Sequence, residues 1–384
     1  MRFEFATATR IIFGAGTVND VAPLAADMGR HAIVVTGSTI NRAAALMDQL
    51  KNQAVKITHF GVTAEPTIET VLSGIIKARS AQADLVMAIG GGSVIDTGKV
   101  IAALLTNEGE LMDYLEVIGN GKPLINPSAP FIAIPTTAGT GAEVTRNSVL
   151  GSAQHRVKVS MRSPLMLPRL AVVDSELTHS MPPNITASTG LDAFTQLQEA
   201  FVSNMANPMI DGICREGMRR AAGALQRAYE DGDDRAARED MCLASLFGGL
   251  ALANVKLGAV HGIAGPLGGM FVAAHGAICA QLLAYVMEAN IHALHLRAPD
   301  SPALARYDEV ARILTAGNSA IAEDAIAWVQ SLCAKLNIAP LAQYGLKESD
   351  FATVIEKSQK ASSMQGNPIK LTDDELAEIL RKAI

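Results

Sequence analysis

The sequence predicts an α/β domain on a doubly wound parallel sheet, followed by a second domain that is almost all helix. Short apolar runs of β type alternate with helical segments through the first half of the chain. The alternation stops after Met181-Pro182-Pro183, and beyond it apolar residues recur at helical spacing. At 384 residues the chain is also too long for one core, since single cores stop growing near roughly 250–300 residues.

The β-type runs are AIVVTG at 32–37, ITHFG at 57–61, LVMAIGGGS at 85–93, FIAIPTT at 131–137 and LAVVD at 170–174. Residues 33–35 and 85–89 are apolar throughout, as expected of parallel strands covered on both faces. In the second half Ala193, Leu197, Ala200 and Phe201 share one helical face. The proline pair punctuates the change of texture, placing the boundary near 178–184 and the domains at 1–180 and 181–384. There is no internal repeat or low-complexity tract, and a cleft between two such domains is the default ligand site.

The net charge of −6, with no long run of lysine or arginine, gives no electrostatic footprint for nucleic acid or anionic membrane. A small-molecule partner is expected. Cys214, Cys242, Cys279 and Cys333 stand far apart without a CxxC pair, so they are expected to be reduced and mostly buried rather than a disulfide framework or zinc-finger-like set. The start MRFEFATATRIIFG has no signal-peptide pattern, and no uninterrupted apolar stretch reaches the roughly 18 residues of a membrane span. The expected location is cytoplasmic.

Gly90-Gly91-Gly92-Ser93 ends an apolar run and opens the helical segment VIDTGKVIAALL, so backbone N–H groups and a helix N-terminus can face a pyrophosphate. The spacing is not the GxGxxG of the ordinary dinucleotide fingerprint, and a tight turn without ligand would read the same. A second loop, Pro135 to Glu143 (PTTAGTGAE), again follows an apolar run, and two cradles on neighbouring strands point to a dinucleotide across the sheet's carboxyl edge. In the helical half, Asp192 and Gln196 are one turn apart on a helix, while His261 and His275 each precede a glycine. A carboxylate, an amide oxygen and two imidazoles suit Fe(II) or Zn(II). With eight histidines in the chain, spacing alone leaves a structural role open for these two.

GGGSVIDTGK at 90–99, PTTAGTGAEVT at 135–145, MPPNITASTGLDAF at 181–194, GAVHGIAGPLGG with AAHGA at 258–277, and GNPIKLTDDEL at 366–376 closely resemble the iron-containing (group III) alcohol dehydrogenases, in order and over nearly the whole chain. The resemblance implies a dehydroquinate synthase-like architecture, with an N-terminal dinucleotide-binding domain and a C-terminal helical metal-binding domain. It also implies an NAD(P)(H) cofactor, a catalytic divalent metal, a small alcohol, aldehyde or ketone as substrate, and a homodimer or larger homo-oligomer. Carried over residue by residue, Gly91, Gly92 and Ser93 would hold the pyrophosphate, and Thr136, Thr137 and Thr140 the adenosine side. Thr145, Asn147 and Lys158 would line the nicotinamide half. Asp192, Gln196, His261 and His275 would be the metal ligands, with Asp192, His261 and His275 carrying the catalysis.

Three positions depart from the family pattern. Gln196 stands where the family commonly has histidine, and a neutral amide is a weaker ligand for a transition metal. Gly265 replaces a second histidine, which enlarges the substrate pocket, with Phe194 and the GGMF segment at 268–271 as candidate walls. Gly37, where NAD-preferring members often carry aspartate, permits NADP(H), with Arg42 near enough to help. Two other readings stay open: a lyase of the dehydroquinate synthase type that uses NAD transiently, and a nucleotide-binding protein with a degraded metal site.

Overall fold

The structure is a computed structural model that describes residues 2–384. It contains two compact units, one from Phe5–Thr137 and Gly141–Ser180, the other chiefly from Met181–Ile384 together with Ala138–Thr140.

The first unit holds the strands β1 (Ile11–Phe13), β2 (His31–Thr36), β3 (Lys56–Gly61), β4 (Leu85–Gly90), β5 (Phe131–Pro135), β6 (Asn147–Ser152), β7 (Val157–Arg162) and β8 (Leu170–Val173). Its helices are α1 (Val21–Ala26), α2 (Asn41–Asn52), α3 (Ile68–Ser80), α4 (Gly92–Thr106) and the short α5 (Leu111–Tyr114). Six strands form one parallel sheet in the order β1-β8-β5-β4-β2-β3, while β6 and β7 make a separate antiparallel hairpin.

Period-two alternation sorts the strand residues onto two cores. Ile33, Val35, Val86, Ala88, Phe131 and Ala133 pack with α3 and α4 on one face, whereas Ala32, Val34, Leu85, Met87, Ile89, Ile132 and Ile134 pack with α1 and α2 on the other. This is the doubly wound arrangement the sequence predicts. From β2 the chain steps outward to β3, then back across β2 to β4, β5 and β8. The order therefore reverses between β2 and β4, and in open α/β sheets the carboxyl ends flanking such a reversal form the ligand crevice.

The second unit is helical: α6 (Pro183–Val202), α7 (Pro208–Glu230), α8 (Arg235–Asn254), α9 (Ala259–Met270), α10 (His275–Arg297), α11 (Pro302–Thr315), α12 (Ala322–Lys335), α13 (Phe351–Lys360) and α14 (Asp373–Ala383). Pro183 sits at the first helical position of α6, where its missing N–H costs nothing. From Gly190 to Val202 every residue of α6 is buried, because α7, α8 and α10 pack around it. The buried Arg238 of α8 donates to Thr186 Oγ1 (2.8 Å) and to the Met181 carbonyl (3.4 Å), pinning the start of α6. Among the described residues α10 alone is a single helix long and apolar enough to cross a membrane, but 67% of its apolar window is buried inside the protein, as in a core helix.

Three strands escape the sequence reading. β1 has only three residues, and β6 and β7 alternate half-buried with buried positions over a short, partly charged stretch.

Candidate functional site

At the switch point, Gly37 directly follows β2, and Gly91, Gly92 and Ser93 lead from β4 into α4. The strands are in register there, with Thr36 opposite Ile89. Gly91 is the N-cap of α4 and offers no side chain to the first-turn amides, which keeps that end available to an anion. A β-carbon on Gly91 would stand 3.4 Å from the Thr137 side chain, so the two glycine loops meet here. Thr136 N donates to the Gly90 carbonyl (3.0 Å), which ties the second loop to the first. The residues present thus fit a dinucleotide phosphate cradle. Thr140 belongs instead with Ala138–Thr140 in the helical unit, where a β-carbon on Gly139 would meet Thr189 Cβ at 2.6 Å.

Thr145 and Asn147 are organised by a residue that the sequence reading passes over. Lys99, fully buried on α4, donates its ammonium to Thr145 Oγ1 (2.7 Å) and the Asn147 carbonyl (2.8 Å) and lies 3.8 Å from Asp96 Oδ1. Burial brings its pKa down to about 8 against the pull of Asp96 and Glu143. Burial also pushes the Glu143 carboxyl up to about 7, with its own backbone N–H and Lys99 opposing the shift. Lys158, expected near the nicotinamide, pairs with Glu65 at 2.6 Å.

In the helical unit, Asp192 projects from α6, His261 from the first turn of α9 and His275 from the first residue of α10. Cys279 follows one turn after His275, and one donor atom from each of the four lies within 4.8 Å of all the others. His261 Nε2 is 3.4 Å from Asp192 Oδ1, and His275 Nε2 is 3.9 Å from the same oxygen. Both Asp192 Oδ1 and His261 Nε2 are buried without a hydrogen-bond partner. Close approach of α10 to α6 makes this possible: a β-carbon on Gly276 would stand 2.3 Å from the Ser188 carbonyl oxygen, so only glycine lets His275 come this near Asp192.

Glu199, two turns beyond Asp192 on α6, holds the other side of His261. It accepts from His261 Nδ1 (2.7 Å), from Val260 N (2.7 Å) and from His261 N (3.3 Å). The proton on Nδ1 leaves the Nε2 lone pair facing Asp192, and the carboxylate caps the N-terminus of α9. Asn367 of the GNP segment accepts from Ala259 N (3.0 Å) and completes that cap. The i, i+7 spacing from Asp192 to Glu199 was the available signal for this residue.

Burial pushes the Asp192 carboxyl up, but the His261 and His275 imidazoles more than offset this and hold it below its ordinary value. Burial opposes charge on Cys279 too, and the same imidazoles bring its thiol below the usual range. Burial works against protonation of His261 and His275, yet Cys279 and Asp192 raise both. A carboxylate, a thiol and two imidazoles, with Asp192 Oδ1 and His261 Nε2 unmatched, fit a divalent metal. Gln196 is buried with Oε1 unpartnered, 2.9 Å from where a β-carbon on Gly248 would stand. Phe194 is a core residue packed on Trp328 (ring centroids 5.8 Å apart), not an open pocket wall.

Comparison with known proteins agrees with this architecture. Residues 8–175 match the model of iron-containing alcohol dehydrogenase, and residues 186–384 that of the Fe-containing alcohol dehydrogenase family, C-terminal. The chain belongs to the iron-containing alcohol dehydrogenase family. Among curated relatives of this family, alcohol dehydrogenase 4 of Schizosaccharomyces pombe is 34% identical over 380 residues, covering 97% of this chain and 87% of that one. A crystal structure of 1,3-propanediol oxidoreductase superposes with a TM-score of 0.92 at 31% identity, with both chains fully covered. Sulfoacetaldehyde reductase of Bifidobacterium kashiwanohense, solved in complex with NAD+, gives 0.88 at 28% identity, covering 100% and 99% of the two chains.

Glu143 makes the sheet unit's stability depend on pH. With a folded pKa of about 7 against an ordinary 4.5, it lends stability that is complete below about pH 4.5 and lost as pH rises through about 7. In Glu143→Gln, stability should fall less between pH 4.5 and 7 than in the parent chain, as read by urea unfolding across that range. An unchanged slope would contradict the buried-carboxyl account.

Proposed function

We propose that the chain is a metal-dependent, nicotinamide-linked dehydrogenase that interconverts a small alcohol and its aldehyde or ketone. The observation that carries this reading is the inward-facing trio Asp192, His261 and His275, two of whose donor atoms are buried and unsatisfied. These three residues hold a divalent ion, Fe(II) or Zn(II), with a fourth donor from their surroundings. When bound, the ion would supply a Lewis acid for the substrate oxygen and the nicotinamide cofactor would supply hydride-transfer chemistry. Family membership supports this dehydrogenase over a lyase that only borrows NAD. The resemblance further supports a homodimer or larger assembly in the cytoplasm.

The protein's own residues do the positioning. Glu199 keeps the proton of His261 on Nδ1, so that Nε2 stays a lone-pair donor. Gly91, Gly92 and Ser93 present the α4 N-terminus to the pyrophosphate, with Thr136 and Thr137 alongside. Burial of Asp192 and His261 keeps water from competing for the donors. At Gly265 a β-carbon would meet nothing within 4 Å, so the place where relatives commonly carry histidine is open and this residue brings no polar side chain to it. That favours a substrate with a plain carbon chain beside its reacting oxygen.

Two outcomes test the reading. His275→Ala should lose roughly 10³-fold or more in carbonyl reduction, corresponding to a Lewis-acid contribution of several kcal/mol, while NADH or NADPH still binds by fluorescence titration. Full turnover in that variant would remove the metal role, and absence of nucleotide binding in the folded parent would remove the dehydrogenase reading. At the end of β2, where no acidic side chain follows Thr36, both NADH and NADPH should bind. Gly37→Asp, with only Val94 within 4 Å of its β-carbon, should weaken NADPH roughly tenfold or more and spare NADH. Equal effects on the two cofactors would place the 2′-phosphate elsewhere.

A further inference from the structure

One aspartate and two histidines leave room at a divalent ion for a further protein donor beside the substrate oxygen, which a five-coordinate centre accommodates, and two side chains stand near enough to be considered. Gln196 is one turn from Asp192, but its buried Oε1 lies against Gly248 of α8, and an amide oxygen is a poor ligand for a transition metal. Cys279 is one turn from His275, and its Sγ is 3.6 Å from His275 Nε2.

Ligand spacing fits Cys279. In a tetrahedral zinc site with bonds of about 2.0–2.1 Å to nitrogen or oxygen and about 2.3 Å to sulfur, donors stand about 3.3 Å apart for an N/O pair and about 3.5 Å for an N/S pair. Here the His261–Asp192 separation is 3.4 Å and the His275–Cys279 separation 3.6 Å. His275–Asp192, at 3.9 Å, must close by about half an ångström, and the four donor atoms all lie within 4.8 Å of one another. Although 3.4 Å apart, His261 Nε2 and Asp192 Oδ1 make no hydrogen bond, as expected of lone pairs aimed at a common centre instead of at each other.

We propose that Cys279 Sγ, and not Gln196, is the fourth metal ligand of this chain, making an Asp192–His261–His275–Cys279 site that selects Zn(II) over Fe(II). This rests on the metal centre of the dehydrogenase reading. On binding, the Cys279 thiol gives up its proton to solvent and its sulfur takes the metal bond. Thiolate ligation and the position of zinc above iron in the divalent affinity series both favour Zn(II).

The test uses the full chain stripped with a chelator and reloaded with Zn(II) alone or Co(II) alone. X-ray absorption at the zinc edge should show one sulfur at about 2.3 Å beside nitrogen and oxygen at about 2.0–2.1 Å. The Co(II) form should carry a thiolate-to-metal charge-transfer band. Cys279→Ser should abolish the band and weaken Zn(II) at least tenfold, since even changes behind a ligand typically cost about 10–100-fold. Gln196→Leu should leave the band in place. A stoichiometric zinc site with only nitrogen and oxygen neighbours would overturn Cys279 as ligand and leave the dehydrogenase reading standing. Failure of the folded parent to take up one equivalent of either ion would overturn both. The zinc-edge measurement needs no variant, so misfolding of Cys279→Ser cannot obscure the answer.

Discussion

A carboxylate with 3% of its surface exposed must have its lone pairs met, and Glu199 meets its own with the first turn of α9. The helical unit's chemistry depends on that arrangement. One carboxylate fixes where α9 begins, which ring nitrogen of His261 carries the proton and which way the other nitrogen faces. Because α6 also carries Asp192, seven residues before Glu199, the same buried helix supplies both the carboxylate that faces the donor cluster and the one that orients its neighbour. Gly276 brings α10 close enough for His275 and Cys279 to join them. No part of this cluster lies on a long loop; each donor is at or within a helix, the kind of rigid support a metal centre requires.

In the sheet unit the corresponding constraint is the reversal of strand order between β2 and β4. It leaves the carboxyl ends of two adjacent buried strands open, and the chain places Gly37 after one and Gly91-Gly92-Ser93 after the other. Lys99, four residues into the helical run after Ile95, anchors α4 to the segment at 145–147 from inside the core. An ammonium buried there is expensive, and Asp96 and Glu143 in its field keep it tolerable.

The central strands were legible because burial on both faces writes itself as unbroken apolar runs, and β2, β4 and β5 begin within a residue of the stretches read as strands. The hairpin β6–β7 was not, because a partly exposed antiparallel pair shows polar residues in both strands and leaves no such signature. At the site, Asp192, His261 and His275 were found through family motifs, and the structure brings them together. Cys279 was read as one of four ordinary buried thiols, since its neighbours in space come from three helices and no CxxC spacing announces them. Glu199 was missed because a helical glutamate is usually solvated; only the full burial of α6 from Gly190 to Val202 turns it into a ligand's support. Thr140 and Lys158 came with the same family resemblance; Thr140 groups with the helical unit, and Lys158 pairs with Glu65.

The unmatched lone pairs at Asp192 and His261 should be stabilised by a divalent ion. Thermal unfolding of chelator-stripped protein, with and without saturating Zn(II), tests this directly. A ligand bound only by the folded state adds about 2.7 kcal/mol at a hundredfold excess over Kd, so the midpoint should rise by several degrees with zinc and stay put in His275→Ala. An unfolding midpoint that zinc leaves unmoved in the parent chain would contradict the claim.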